Sequence, residues 1–243
     1  DCSSSASWCS SGFGPFRQFL VNPSWRLAQR LKLVGLGRRI DVHVKELPVT
    51  YVKTQQIIAD IWQTFNPKFA VHLGISRGSS VVILEQTATN CGYRDRDVCG
   101  FCPETQCCVE GGPEKLCSVI NMRAVSKKFR EAGMDVLCSR DAGRWAGGPV
   151  VSSQTHKYVT QPDHAFCLCF FFRFLCDFAY YCSLYHGQGR AALIHIPTSG
   201  SLASIDRLVP LLQSLIQTML NQLGDPSGAA RTETSDSSAA APR

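Results

Sequence analysis

The chain has 243 residues, 44% of them hydrophobic, which is enough to bury one sizeable core, so a single domain is expected. Its net charge is +6, but cations are interleaved with acids, as in Arg94-Asp95-Arg96-Asp97, without a long basic run; a nucleic-acid partner is not expected. No apolar run reaches membrane-spanning length: the nearest candidate, residues 165–175, is short and carries Arg173.

The 13 cysteines are many and odd in number. The opening DCSSSASWCSS has neither the basic nor the apolar region of an export signal, so reduced thiols in the cytosol are expected. Residues 1–11 carry no strand pattern and read as a disordered tail. GFGPF at 12–16 follows as a glycine-rich loop whose Phe13 and Phe16 are either core aromatics of a turn or rings projected for contact. Asn22-Pro23 suits a helix start, with Asn as N-cap and Pro in the first turn; that helix carries Trp25, Ala28, Leu31 and Leu33. Ile40, Val42 and Val44 alternate with polar residues as in a strand. A second helix is expected over 50–65, with Val52, Ile57, Ile58 and Ile61 on one side. FAVHLGI at 69–75 reads as a buried parallel strand.

Helix and strand therefore alternate through short connections, which predicts an α/β sheet with helices on its faces and functional residues near the carboxyl ends of strands. A short strand over 81–85 ends in Glu85. That carboxylate is either a solvated strand end or an orienting partner for an imidazole. Residues 90–118 form a polar, cysteine-rich stretch. Cys99-x-x-Cys102 has zinc spacing, but no second matching pair or nearby histidine accompanies it, so a surface loop is preferred to a metal site. A helix over 119–132, with Ile120, Ala124 and Phe129 on its apolar side, precedes a strand over 134–138. Residues 145–175 break this rhythm. An amphipathic helix over 204–223 closes the ordered chain, and the polar tail from 224 should be disordered.

The stretch CDFAYYCSLYHGQGRAALIHIP, from Cys176 to Pro197, carries the chemistry. Cys176 reads as lying in the first turn of a helix, where the helix N-terminus lowers a thiol pKa. His195 lies within the apolar strand 191–197 and can exchange a proton with a neighbouring thiol. In so cysteine-rich a chain, spacing alone leaves the pair open to a purely structural explanation.

Four separated blocks resemble the pyroglutamyl-peptidase I family of cytosolic cysteine peptidases: GFGPF with VNPSW at 12–25, HLGIS to LEQTATN at 72–90, SRDAG at 139–143, and CDFAYY to HIP at 176–197. The resemblance implies a three-layer α/β/α sandwich with a mixed, mostly parallel central sheet, formed by one domain over 12–223. It implies hydrolysis of the bond after an N-terminal pyroglutamyl residue, with such peptides as partners and no metal or organic cofactor. Carried over by position, it places the nucleophile at Cys176, the base at His195 and the supporting acid at Glu85. It places the aromatic clamp on the lactam ring at Phe13 and Phe16, with Asn22 ordering their loop.

The chain departs from the family pattern twice. The family enters its GFGPF loop from an apolar strand, where residues 1–11 offer nothing comparable. Residues 145–175 stand as an irregular insertion immediately before the nucleophile, where backbone N–H groups at the helix start should form the oxyanion site. The alternative is thus a catalytically inactive protein of the same fold, serving at most as a binding module.

Overall fold

A run such as FAVHLGI needs apolar cover on both sides, and the fold supplies it. The structure, a computed structural model, describes residues 6–16, 20–37, 40–76, 78–140 and 170–224. Strands β1 (Ala6–Phe13), β2 (Ile40–Leu47), β3 (Phe69–Ser76), β4 (Val82–Glu85), β7 (Val136–Ser139) and β8 (Ala191–Pro197) form one sheet in the order β2-β1-β3-β8-β4-β7. Every neighbouring pair is parallel except β8 with β4. A separate antiparallel pair joins β5 (Thr87–Thr89) and β6 (Lys115–Cys117).

Helices α1 (Pro23–Val34), α3 (Met122–Glu131) and α5 (Ile205–Gly224) cover one face, packing Leu27, Leu31, Val125, Phe129, Leu212 and Ile216 onto the sheet. Helices α2 (Tyr51–Asp60) and α4 (Phe170–His186) cover the other. The result is the expected three-layer α/β/α sandwich with a mixed, mostly parallel sheet. Strand alternation divides its residues between two cores. Val71, Leu73, Ala192 and Ile194 face α1, α3 and α5, whereas Ala70, Ala191 and Leu193 face α2 and α4.

The largest departure from expectation lies at the N-terminal end. Residues 6–11, read as part of a disordered tail, belong to β1, which lies between β2 and β3 in parallel register with both. Trp8, Cys9, Ser10 and Ser11 are all buried. Serine carries little strand propensity, but a strand with partners on both sides is held by its ladder hydrogen bonds, and small side chains suit a crowded interior. Gly12 and Phe13 accordingly end a strand rather than begin a loop. The expected tail from 224 and most of the 145–175 insertion lie outside the described residues.

Asn22 caps α1 as expected, its side-chain oxygen accepting from the Ser24 N–H at 3.0 Å. Leu33, however, is exposed, and Leu27 takes its place in the core. The helix expected over 50–65 is α only to Asp60 and continues as a π-helical turn (Ile61–Phe65), with Val52 exposed. Ala124 likewise faces solvent while Met122 and Val125 pack inward, because α3 starts later than its periodicity implied.

Helix α1 approaches β1 so closely that a Cβ on Gly12 would lie 2.5 Å from the Ser24 carbonyl and the Trp25 nitrogen. Backbone cannot yield as a flexible side-chain tip can. Gly12→Ala is therefore expected to cost about 3 kcal/mol, read as a lower denaturant midpoint with an unchanged slope.

Candidate active site

Strand β8 lies between β3 and β4, and all seven of its residues are buried. Alternation turns His195 to the α4 side of the sheet. Its antiparallel neighbour β4 pairs Glu85 with Leu193 and Ile83 with His195, so Glu85 is the diagonal neighbour of His195 on that face. The carboxylate bridges this diagonal: Glu85 Oε1 is 2.9 Å from His195 Nδ1. An ionised carboxylate only accepts, so the ring donates its Nδ1–H to Glu85, and in a neutral ring that leaves Nε2 as the acceptor nitrogen. Glu85 is 4% exposed and His195 3%, so Glu85 is a buried partner and not a solvated strand end. Tyr180, one helical turn after Cys176, donates its hydroxyl to the Glu85 carbonyl at 2.9 Å and fixes the backbone that carries the carboxylate.

Cys176 comes down from α4 onto the same spot. A Cβ built on Gly74 of β3 would lie 2.9 Å from Cys176 Sγ, 2.8 Å from His195 Cδ2 and 3.1 Å from His195 Nε2. Thiol and ring thus both lie against one glycine, and Gly74 is the register partner of His195. Nε2 has no hydrogen-bond partner among the described residues. It is the ring atom that could take a proton from the thiol. The sequence-predicted trio therefore converges, although its members lie on three different elements.

The setting of Cys176 differs from expectation. Helix α4 begins at Phe170, so Cys176 lies in its second turn and not at its N-terminus. The apolar residues before Cys176 continue the helix. A backbone N–H that deep in a helix bonds within the helix, so the expected oxyanion donors and helix-terminal activation of the thiol are not provided at this position. The residue after the thiol, Asp177, is buried and accepts from the Tyr93 hydroxyl at 3.2 Å and the Thr89 N–H at 3.4 Å, which ties α4 to the stretch after β4.

Phe13 ends β1 one step beyond the Gly12–Leu73 pair, which brings it beside Gly74 on the face of His195. Phe13 and Phe16 are both buried, in the core that also contains Cys176. Asn22, besides capping α1, donates its amide to the Gly14 carbonyl at 3.2 Å, between the two phenylalanines. All six sequence-predicted site residues thus lie in or next to one region between β1, β3, β8 and α4.

Strand β3 contributes two further residues to this face. Gly74 lies directly below the thiol and ring. His72, two residues earlier, is completely buried with Ser11 Oγ 2.6 Å from its Nδ1, and burial lowers its pKa to about 4. Neither stood out in FAVHLGI, where a glycine and a histidine inside a strand carry no periodic signal. Tyr180 could have been found, because it follows Cys176 by four residues on one helical face.

His72 has a consequence for stability. Its folded pKa lies below the ordinary 6.5, so the unfolded chain binds the proton more readily between those values. Its contribution is intact above pH 6.5 and is lost as pH falls towards 4. The expected loss from this group between pH 7 and pH 5 is about 2 kcal/mol. Urea midpoints at the two pH values would show it, and His72→Gln should flatten that dependence.

The cysteine-rich stretch also differs from expectation. Cys91 and Cys107 are joined by a disulfide across an isolated β-bridge, where reduced thiols were expected. Two half-extended backbones bridged at that point bring the side chains within bonding reach, which sequence spacing does not show. Cys99 and Cys102, the zinc-spaced pair, are free thiols; Cys102 Sγ lies 3.2 Å from the Tyr93 carbonyl oxygen.

The chain is similar to known proteins in both sequence and fold. The sequence model described as pyroglutamyl peptidase matches residues 9–166, a range that contains Glu85 and ends before Cys176 and His195. Full-length similarity spans those two as well. The chain is 39% identical over 220 residues to pyroglutamyl-peptidase 1 of Rattus norvegicus, covering 90% of this chain and 91% of that protein. It is 35% identical over 210 residues to the human pyroglutamyl-peptidase 1-like protein, covering 86% and 92% respectively. In fold it is similar to the pyrrolidone carboxyl peptidase of Thermococcus litoralis, with a TM-score of 0.70 at 18% identity over 90% of this chain and 95% of that one.

Proposed function

The chain belongs to the pyroglutamyl peptidase family, and from that premise we propose that it is a thiol peptidase removing an N-terminal pyroglutamyl residue from peptides. Cys176 is the nucleophile, His195 the general base and then acid, and Glu85 the carboxylate that holds the imidazole in its reactive tautomer. The observation that carries this reading is the His195 ring, held at Nδ1 by Glu85 at 2.9 Å with Nε2 turned to the spot it shares with Cys176 Sγ.

The steps follow from that order. Since Cys176 lies within a helix rather than at its start, activation of the thiol depends on the imidazole. Nε2 takes the thiol proton, and the thiolate adds to the pyroglutamyl carbonyl carbon. The carbon–nitrogen bond breaks as the imidazolium returns its proton to the departing amine. Water, deprotonated by the same ring, then hydrolyses the thioester and releases pyroglutamic acid and the free thiol. Throughout, Glu85 stabilises the cationic ring, and Tyr180 holds the backbone of Glu85.

Recognition follows from the ligand's chemistry. A pyroglutamyl ring is flat, compact and lacks a free amine, so an ammonium-binding site would be useless. Phe13, next to Gly74, and Phe16, in the same core as Cys176, supply apolar faces suited to such a ring, and Asn22 holds the turn that connects them. No helix among the described residues is long and apolar enough to cross a membrane. We place the enzyme in the cytosol, in keeping with the free thiols that most of its described cysteines retain.

The test is release of a fluorescent amine from a pyroglutamyl conjugate by the purified chain, alongside a prolyl conjugate that has the five-membered ring but no lactam carbonyl. Turnover of the first and not the second is expected. Equal turnover of both, or of neither, would remove the pyroglutamyl assignment.

A further inference from the structure

One position of this face lacks a side chain where Cys176 and His195 both come close. Gly74 lies in mid-β3, register-paired with His195 on one side and beside Phe13 on the other. Its backbone is fully buried, and its conformation is not one reserved for glycine. What requires glycine is contact: a Cβ would meet Cys176 Sγ at 2.9 Å, His195 Cδ2 at 2.8 Å and His195 Nε2 at 3.1 Å.

We propose that Gly74 is a positioning residue for the thiol–imidazole pair, its bare backbone being what allows Cys176 Sγ and the His195 ring to meet over the sheet. The proposal rests on the reading of Cys176 and His195 as nucleophile and base. An added methyl group could be accommodated in two ways. Either Sγ rotates about the Cα–Cβ bond away from the ring, or the ring tilts off its hydrogen bond to Glu85. Both movements separate the sulfur from Nε2. The strand itself has nowhere to go, since β1 and β8 hold it on both sides.

The consequence is specific to catalysis. A displacement of about 1 Å at a reacting atom can cost about a hundredfold in rate. Gly74→Ala is therefore expected to lower kcat by about a hundredfold, with a much smaller change in KM, because the aromatic faces stay in place. It should also move the pH profile of Cys176 alkylation by iodoacetamide, followed at that residue by peptide mapping, towards that of an isolated thiol. A merely structural role would leave the profile of the folded protein where it was.

The contact itself is tested by a stability cycle with Cys176→Ala, which deletes the sulfur that the new methyl group would meet. The melting temperature lost on Gly74→Ala should be smaller in the Cys176→Ala background than in the parent. If Gly74→Ala fails to fold alone, the double variant should recover folded protein. Retention of kcat within threefold with an unmoved alkylation profile would overturn the proposal, as would full additivity in the cycle. A parent chain without turnover but with a coupled Gly74–Cys176 cycle would instead overturn the peptidase reading, leaving the positioning of the sulfur by Gly74 in place.

Discussion

Cys176→Ala is expected to abolish release of amine from a pyroglutamyl conjugate, by about 10⁵-fold or more in kcat. The magnitude follows from the site: among the described residues no other thiol lies in the Glu85–His195 arrangement to replace the covalent step. Cys182, on the same helix, is completely buried and lies two turns away. Cys108 is buried beneath the loop, with its pKa raised strongly, first by burial. Burial therefore keeps Cys108 from the reactive thiolate form, and Cys182 lies away from the imidazole along the helix. The variant should fold, since alanine fits within the volume of cysteine. Residual turnover within a hundredfold of the parent would assign the nucleophile elsewhere.

Glu85→Gln should lower kcat by about 10³- to 10⁴-fold while leaving the fold intact. Glutamine has the same shape, so β4 and its pairing with β8 and β7 are unaffected. It is neutral, however, and cannot stabilise the imidazolium that forms when Nε2 takes the thiol proton. Its amide can also offer a donor to Nδ1, which would select the tautomer whose Nε2 carries hydrogen and cannot accept one. The loss should appear in kcat and kcat/KM alike, because the carboxylate acts on the base and not on bound substrate. Activity within tenfold of the parent would show that the 2.9 Å contact to His195 is structural only.

Much of the fold was legible where hydrophobic patterning and end signals agree. Asn22-Pro23 marks the start of α1, AALIHIP gives β8 at its observed bounds, and the leucine-rich stripe before Gly224 gives α5. Patterning failed where neighbours, not residues, made the element. The serines of β1 form a strand because β2 and β3 flank them, and the residues before Cys176 extend α4 because their apolar side chains tolerate helix as readily as strand. Single-face assignments also missed at Leu33, Val52 and Ala124, which face solvent, although α1 and α2 begin where the end signals put them.

For the site, residue identity came from the chain and geometry from the fold. Cysteine, histidine and glutamate stand in blocks whose order resembles a known family, and that much needs no coordinates. The 2.9 Å contact between residues 110 positions apart does need them, as does the burial that makes Glu85 a partner of His195 and not a solvated strand end. Gly74 and His72 became visible only when β3 was set beside β1 and β8, because a glycine has no side chain to signal contact and a lone histidine no period. By itself the sequence determined the family of the chain and the class of its fold, since sequence motifs and local periodicity are properties of the linear chain. Only the tertiary structure decided that Cys176 lies within a helix, that β1 exists, and that a glycine lies beneath the reacting pair, because each depends on what packs against the segment and not on its own residues.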